Sequence, residues 1–500
     1  MDTFDLNQPD LYIGRELSLV EFNRRVMAQA SDPQVPLLER LRYMCITSTN
    51  IDEMFEVRIA GLKQKVELGS VQRGPDNLAP HETLRLLSDL CHELVDEQYR
   101  VLNDELLPAL EEECIRFIRR TEWTEKQAEW LKKFFQQELL PVLSPIGLDP
   151  AHPFPRILNK SLNFIVALKG KDAFGRSSGM AIVQAPRALP RLIQLPEETG
   201  GGPYDFVFLS SVIHAFGEEL FTGMKITSTH QFRVTRNSHL FVDEEEIDDL
   251  MRALEGELPS RRYGDAVRLE VADNCTEELM EYLRKTFELE PDDVYQVNGP
   301  VNLNRLQAII ELVERPDLKF APFTPRLPAE FGPGTDIFKT LRKKDALLHH
   351  PFDSFVPVID FIRQASEDPD VLAIKMTLYR TGADSALVDA LVQAASSGKE
   401  VTVVVELRAR FDEEANIAVA NRLQEVGVHV VYGIVGYKTH AKMALVVRRE
   451  RNKLRHYVHL GTGNYHDRTA RLYTDYGLMT SNKAFGDDVH KIFLQLTSLG

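Results

Sequence analysis

Between Val371 and Ile434 apolar runs alternate with amphipathic stretches, and no other feature of the chain constrains its fold as tightly. "VLAIKMTLY" reads as a buried strand. "SALVDALVQAASSG" then puts Leu387, Ala390, Leu391 and Ala394 on one helical face and closes on Gly398. "EVTVVVELR" is a second strand, a helix carrying Ala415, Val419, Leu423 and Val426 follows, and "VHVVYGI" is a third strand. Strand and helix alternating with short connections imply a largely parallel sheet under right-handed crossovers. Ligands of such sheets gather at the carboxyl ends of the strands.

That edge is cationic. The first strand ends at Arg380 and the second at Arg408 and Arg410, ahead of a helix start. "GYKTHAKMALVV" opens another strand with His440 and Lys442, two residues apart and therefore on one face. "HYVHLGTGNYH" runs into a glycine-rich turn bearing Asn464. Guanidinium groups, a helix amino terminus and a glycine turn are the parts of a phosphate-binding cleft. Among them, histidine is the group that can act as nucleophile.

The formal net charge of -16 over 500 residues argues against a surface that attracts nucleic acid as a whole. A basic cleft inside an acidic protein still focuses its field on phosphate. Cys45, Cys91, Cys114 and Cys275 show no metal-ligand spacing and no disulfide framework, so an intracellular, cytoplasmic setting is expected. No apolar run reaches the 18 or so residues of a spanning helix, which leaves peripheral membrane contact open.

Three regions are expected. Residues 1–111 read as a helical domain: Leu19, Phe22, Val26 and Met27 form a helical stripe, Pro36 interrupts, and the polar island Thr47 to Asp52 looks like a break between helices. Residues 112–326 read as an α+β domain, with Thr124 and Gln127 as a capping box. Five prolines between Pro316 and Pro333 mark a seam. Residues 327–500 hold the α/β region and its site. The expected class is a multidomain α/β protein.

His440, Lys442 and the turn "GTGN" resemble the phospholipase D superfamily, in which a His-x-Lys histidine is phosphorylated on its ring. The Asp usually found five residues after the lysine is replaced by Val447. The finer resemblance is to the first family of polyphosphate kinases, whose catalytic domains are phospholipase D-like. It rests on "ELSLVEFNRRV", "STNIDEMFEVRIAGL", "LLHHPFDSF", "IKMTLYRTG", "VELRARFDEEANI" and "HLGTGNYHDRTARLYTDYGL", in that order along nearly the whole chain.

The resemblance implies reversible transfer of the terminal phosphate of ATP, through a phosphohistidine at His440, to polyphosphate. It implies Lys442 and Asn464 as catalytic partners, and Asn50 in the helical domain and Tyr473 as ATP contacts. Arg380 and Arg410 would bind phosphate, with a magnesium ion beside them held by phosphate oxygens, since arginine has no lone pair to give. ATP, ADP and polyphosphate would be the partners, with no nucleic acid, in a homo-oligomer. The family carries a second, homologous catalytic domain. No second His-x-Lys occurs among the 14 histidines, so a truncated chain lacking that domain is the expectation.

Blander readings stand beside these. A phospholipase D-type phosphodiesterase and an inactive polyphosphate-binding fragment are the alternative functions. Arg410 could simply pair with Asp412 or Glu413, Arg408 is the stronger candidate for a structural partner, Asn50 could be a helix cap, and Tyr473 a packed strand residue. His349 and His350 read as a structural turn with a tunnel-lining role, and His459 and His466 as groups supporting the GTGN turn.

Overall fold

The computed structural model describes residues 5–6, 8–149, 153–171, 179–238, 250–258, 262–382, 385–434 and 436–498. Two compact units emerge: Met1–Leu240 with Pro259–Ala321, and Phe241–Leu258 with Pro322–Gly500. Within the described residues, no helix is long and apolar enough to cross a membrane.

In the first unit the helix Leu37–Glu53 continues through a π-helical segment, Met54–Ile59, into Ala60–Glu67. The expected break at Thr47 to Asp52 is therefore absent. Its polar residues are absorbed instead: Thr47 returns its hydroxyl to the Tyr43 carbonyl (2.9 Å), and buried Asp52 accepts two bonds from Arg233 (2.8 and 2.9 Å). A buried carboxylate needs such a partner. The stripe on Arg15–Ser31 is shifted as well. Val20, Asn23, Met27 and Ala30 face inward while Phe22 is exposed.

Thr124 caps the helix Glu125–Phe134, exchanging hydrogen bonds with Gln127. A six-stranded sheet built around Asn163–Gly170 and Met224–Arg236 and a three-stranded sheet centred on Tyr204–Phe208 complete the unit. One apolar core runs from Val20 through Leu94 and Phe164 to Ile309, so residues on both sides of position 111 share it.

The second unit is built on a seven-stranded sheet. In chain order its strands are β1 (Ala346–His350), β2 (Val371–Leu378), β3 (Glu400–Val405), β4 (His429–Val431), β5 (Lys442–Glu450), β6 (Lys453–Gly461) and β7 (Asp475–Thr480). Across the sheet they lie in the order β1-β7-β6-β5-β2-β3-β4. Only β2–β3 and β3–β4 are parallel; the other four pairings are antiparallel.

The expectation of a largely parallel sheet is thus corrected to a mixed one. The helices Ala386–Ser396 and Glu413–Glu425 provide the two crossovers that parallel neighbours need. Between β5 and β6 stand only Arg451 and Asn452, and a link that short can only reverse the chain. The helix Lys483–Ser498 closes this side, with Val489 and Phe493 packed on Leu445 and Val458.

Candidate active site

β5 runs antiparallel to β2, so its first residues arrive beside the carboxyl end of β2. Thr377 pins them there. Its buried hydroxyl donates to the Ala441 carbonyl (2.7 Å) and accepts from the Met443 N–H (3.1 Å). His440 itself lies just ahead of the strand, exposed, while Lys442 at the first strand position is buried.

Both side chains converge on one ring. Tyr379 meets the His440 imidazole edge-on, with centroids 5.0 Å apart, and the Lys442 ammonium sits 5.4 Å from the Tyr379 centroid. Lys442 also donates to the His440 carbonyl at 2.6 Å. Burial, followed by the charges of Lys442 and Arg380, holds the His440 pKa below the ordinary histidine value. The imidazole is therefore neutral near pH 7 and keeps a lone pair. Burial lowers Lys442 too; the Asp475 carboxylate opposes that shift and Arg380 adds to it.

Arg380 leaves the end of β2 and reaches across to the loop after β3. Its Nε lies 2.9 Å from Asp412, and its Nη2 donates to the Arg410 carbonyl at 3.1 Å. Asp412 thus has Arg380 as a partner, whereas the blander sequence reading offered Asp412 or Glu413 to Arg410. Arg410 is half-buried in the same loop, and its charge helps hold the Lys438 pKa down, after burial has done most of that work. Arg408 serves the loop itself, donating to the Tyr437 carbonyl and lying 3.5 Å from Glu406.

The glycine turn after β6 lies against Lys442: a Cβ on Gly461 would stand 3.7 Å from the Lys442 Cβ. A side chain at Gly463 would run into the Asp475 carboxylate, which accepts from the Thr462 hydroxyl at 2.8 Å. In this turn the Asn464 Oδ1 is buried with no hydrogen-bond partner among the described residues. His459 is fully buried, bonded through Nδ1 to the Tyr465 hydroxyl (2.8 Å), and burial with His350 nearby pushes its pKa down to about 3. His466 caps the short helix Asp467–Ala470.

His349 and His350 end strand β1, which replaces the expected turn. His349 stacks on Tyr476 at 4.6 Å, and buried His350 bonds the Asp353 carbonyl at 2.8 Å. Tyr473 is 64% exposed on the segment before β7, so it is no packed strand residue. Asn50 belongs to the first unit. It lies inside a continuous helix, not at a cap, and its Nδ2 donates to Asn23 (2.9 Å).

The site also depends on residues that the sequence reading passed over. Glu406, closing β3, is 2% exposed and accepts the N–H groups of Thr439 (2.7 Å) and Arg408 (3.1 Å), which ties down the segment leading into His440. Burial raises its pKa, and those two N–H groups and Lys438 oppose the rise. Asn416 bridges the ends of two strands through the carbonyls of Tyr379 (2.7 Å) and Glu406 (2.9 Å). A glutamate ending an apolar run was a visible signal; the approach of Asp475 to Lys442, from 33 residues downstream, was not.

Fold and site together define a multidomain α/β protein with an accessible, neutral histidine among cations at the strand ends of its sheet. Comparison with known proteins names the family. Models of the polyphosphate kinase N-terminal domain, middle domain and C-terminal domain 1 match residues 12–118, 126–309 and 336–500. Polyphosphate kinases of Pseudomonas putida and Pseudomonas aeruginosa are each 57% identical over 495 residues, 99% of this chain and 68% and 72% of theirs. The solved polyphosphate kinase of Porphyromonas gingivalis superposes with a TM-score of 0.81 at 26% identity, covering 98% of this chain and 70% of that one. The chain belongs to the polyphosphate kinase family.

Proposed function

We propose that this chain catalyses phosphoryl transfer between ATP and polyphosphate through a phosphohistidine at His440. The observation that carries the reading is the neutral, accessible imidazole set against Tyr379 within the field of Lys442 and Arg380. A ring nitrogen of His440 attacks the terminal phosphorus of ATP; an N–P bond forms as the bond to the ADP oxygen breaks, and ADP leaves. A terminal oxygen of polyphosphate then attacks the same phosphorus, the N–P bond breaks, and the imidazole is restored. Run backwards, the two steps make ATP.

Such transfer asks the protein for position and positive charge around the moving phosphoryl group. Lys442, Arg380 and Arg410 supply the charge, and Asn464, with its buried Oδ1 unpartnered, sits in the glycine turn that lies against Lys442. Tyr473 offers an exposed ring for adenine, and Asn50 offers an amide oriented by Asn23. In this division of labour residues 1–111 contact nucleotide, 112–326 form the middle domain and 327–500 carry the chemistry.

The described residues contain no cluster of three or more His, Cys, Asp or Glu suited to a metal ion. Two carboxylates in this region, Asp412 and Asp475, already bond Arg380 and Thr462. A magnesium ion fits this donor set as one carried by the nucleotide phosphates, where it would neutralise charge, with Arg380 and Arg410 beside those phosphates.

The test is labelling with ATP carrying radioactive phosphorus in its terminal phosphate. The chain is expected to take up a label that is lost in acid and kept in base, as a phosphoramidate is, and His440→Ala is expected to take up none. A label that resists acid, or one that persists in His440→Ala, overturns the assignment.

A further inference from the structure

The catalytic sheet has a second cationic feature at the end away from His440. Lys442 pairs with Gly461 at one end of the β5–β6 hairpin and Glu450 with Lys453 at the other. Eight steps of about 3.3 Å separate the two ends by about 26 Å. That is several times the Debye length of about 8 Å at physiological salt, so charges at the far end do not assist the chemistry at His440.

At this far end lies a cavity of about 1010 Å³ whose walls carry seven Lys or Arg side chains against three carboxylates. Arg448 and Arg455 stand directly opposite each other across the hairpin, a like-charge pairing that ordinarily destabilises a sheet. Glu450 bridges them, 3.2 Å from Arg448 and 2.8 Å from Arg455, which accounts for their retention. Four others are not accounted for. Arg449, Arg451, Lys453 and Lys483 are exposed and make no ion pair or side-chain hydrogen bond among the described residues.

On a chain of net charge -16, a cleft lined mostly by one sign of charge focuses a local positive field that draws anions to it. A small phosphate would need only a few of these groups. Cations spread along both strands and the tip of a hairpin suit a linear polyanion that runs past several of them in turn.

We propose that this groove is a docking site for linear polyphosphate, holding the polymer at a distance from its reacting end. The proposal rests on polyphosphate being the substrate. It adds to that reading a reason for the chain to prefer long polymer over short.

The experiment titrates the chain with long-chain polyphosphate and with tripolyphosphate over a range of salt, beside the double variant Arg451→Ser with Lys453→Ser. Both positions are exposed at the hairpin tip, so the variant is expected to melt with the parent. If each cation contributes as in other linear polyanion complexes, the variant binds long polymer roughly tenfold more weakly near 50 mM salt. Its salt slope is then shallower by about 1.5. Tripolyphosphate binding and labelling of His440 by ATP are expected to match the parent.

Affinity of the variant for long polymer within twofold of the parent overturns the proposal. So does duplex DNA that binds as tightly as polyphosphate and is lost in the same variant, because the groove would then be a nucleic-acid surface. Binding of long polymer that depends on Arg451 and Lys453, in a parent chain that takes no label at His440, supports the groove and overturns the phosphohistidine reading.

Discussion

Glu406 holds the segment that delivers His440, and removing it tests whether that segment must be held. The carboxylate accepts N–H bonds from Thr439, next to His440 in sequence, and from Arg408. A hydrogen bond to a charged group contributes about 1.5–3 kcal/mol, so the two together give about 3–6 kcal/mol. Part of this is offset by burying the carboxylate, the same burial that raises its pKa. A net of about 3 kcal/mol remains for fixing the segment, which corresponds to a rate factor of about 100 at 1.36 kcal/mol per tenfold.

Glu406→Ala is therefore expected to slow labelling of His440 at saturating ATP by about 100-fold, with little change in the ATP concentration giving half the maximal rate. Glu406→Gln keeps one acceptor and is expected to lose about tenfold. Single-turnover labelling with thermal melting on the same samples reads both. A variant that folds and labels within threefold of the parent would refute the argument. So would a loss confined to ATP affinity, or equal losses in Ala and Gln that track only the melting temperature.

The pH dependence of labelling follows from the lowered pKa of His440. In the proposed reaction the nucleophile is the neutral ring, so the rate at ATP well below saturation, which reports the free chain, should stay level as pH falls through 6.5 and decline only below it. Lys442→Met removes one of the charges that depress this pKa, so the midpoint should move up; a parental midpoint at or above 6.5 would contradict the geometry. In the first unit, Asp52→Ala leaves the buried Arg233 short of a partner and is expected to cost about 3–5 kcal/mol in denaturant unfolding. Burial raises the Asp52 pKa, but Arg233, Arg268 and Lys160 outweigh it and hold the carboxyl below 3.8. Its contribution is thus complete above the unfolded value and lost as pH falls through the folded one, so the stabilities of parent and variant should converge only in strong acid.

The sequence by itself determined the local elements and singled out the candidate reacting groups. Apolar periodicity located β2, β3, β4 and the two crossover helices, because burial of one helical face or of a whole strand leaves a pattern in consecutive residues. His440 and Lys442 were legible because two residues apart on extended chain share a face whatever the fold. Tertiary structure decided how those pieces meet. The direction of β5, β6 and β7 depends on which strand each one pairs with, and an apolar run reads the same in a parallel or an antiparallel ladder. The polar run Thr47 to Asp52 looked like a break because its partner Arg233 lies 181 residues away from Asp52, where no local pattern could show a helix its ion pair. The same holds at the site. Arg380 came to Asp412, Glu406 to Thr439 and Asp475 to the neighbourhood of Lys442 through packing of the sheet edge, and interaction energies that depend on distance in space leave no mark on spacing in sequence.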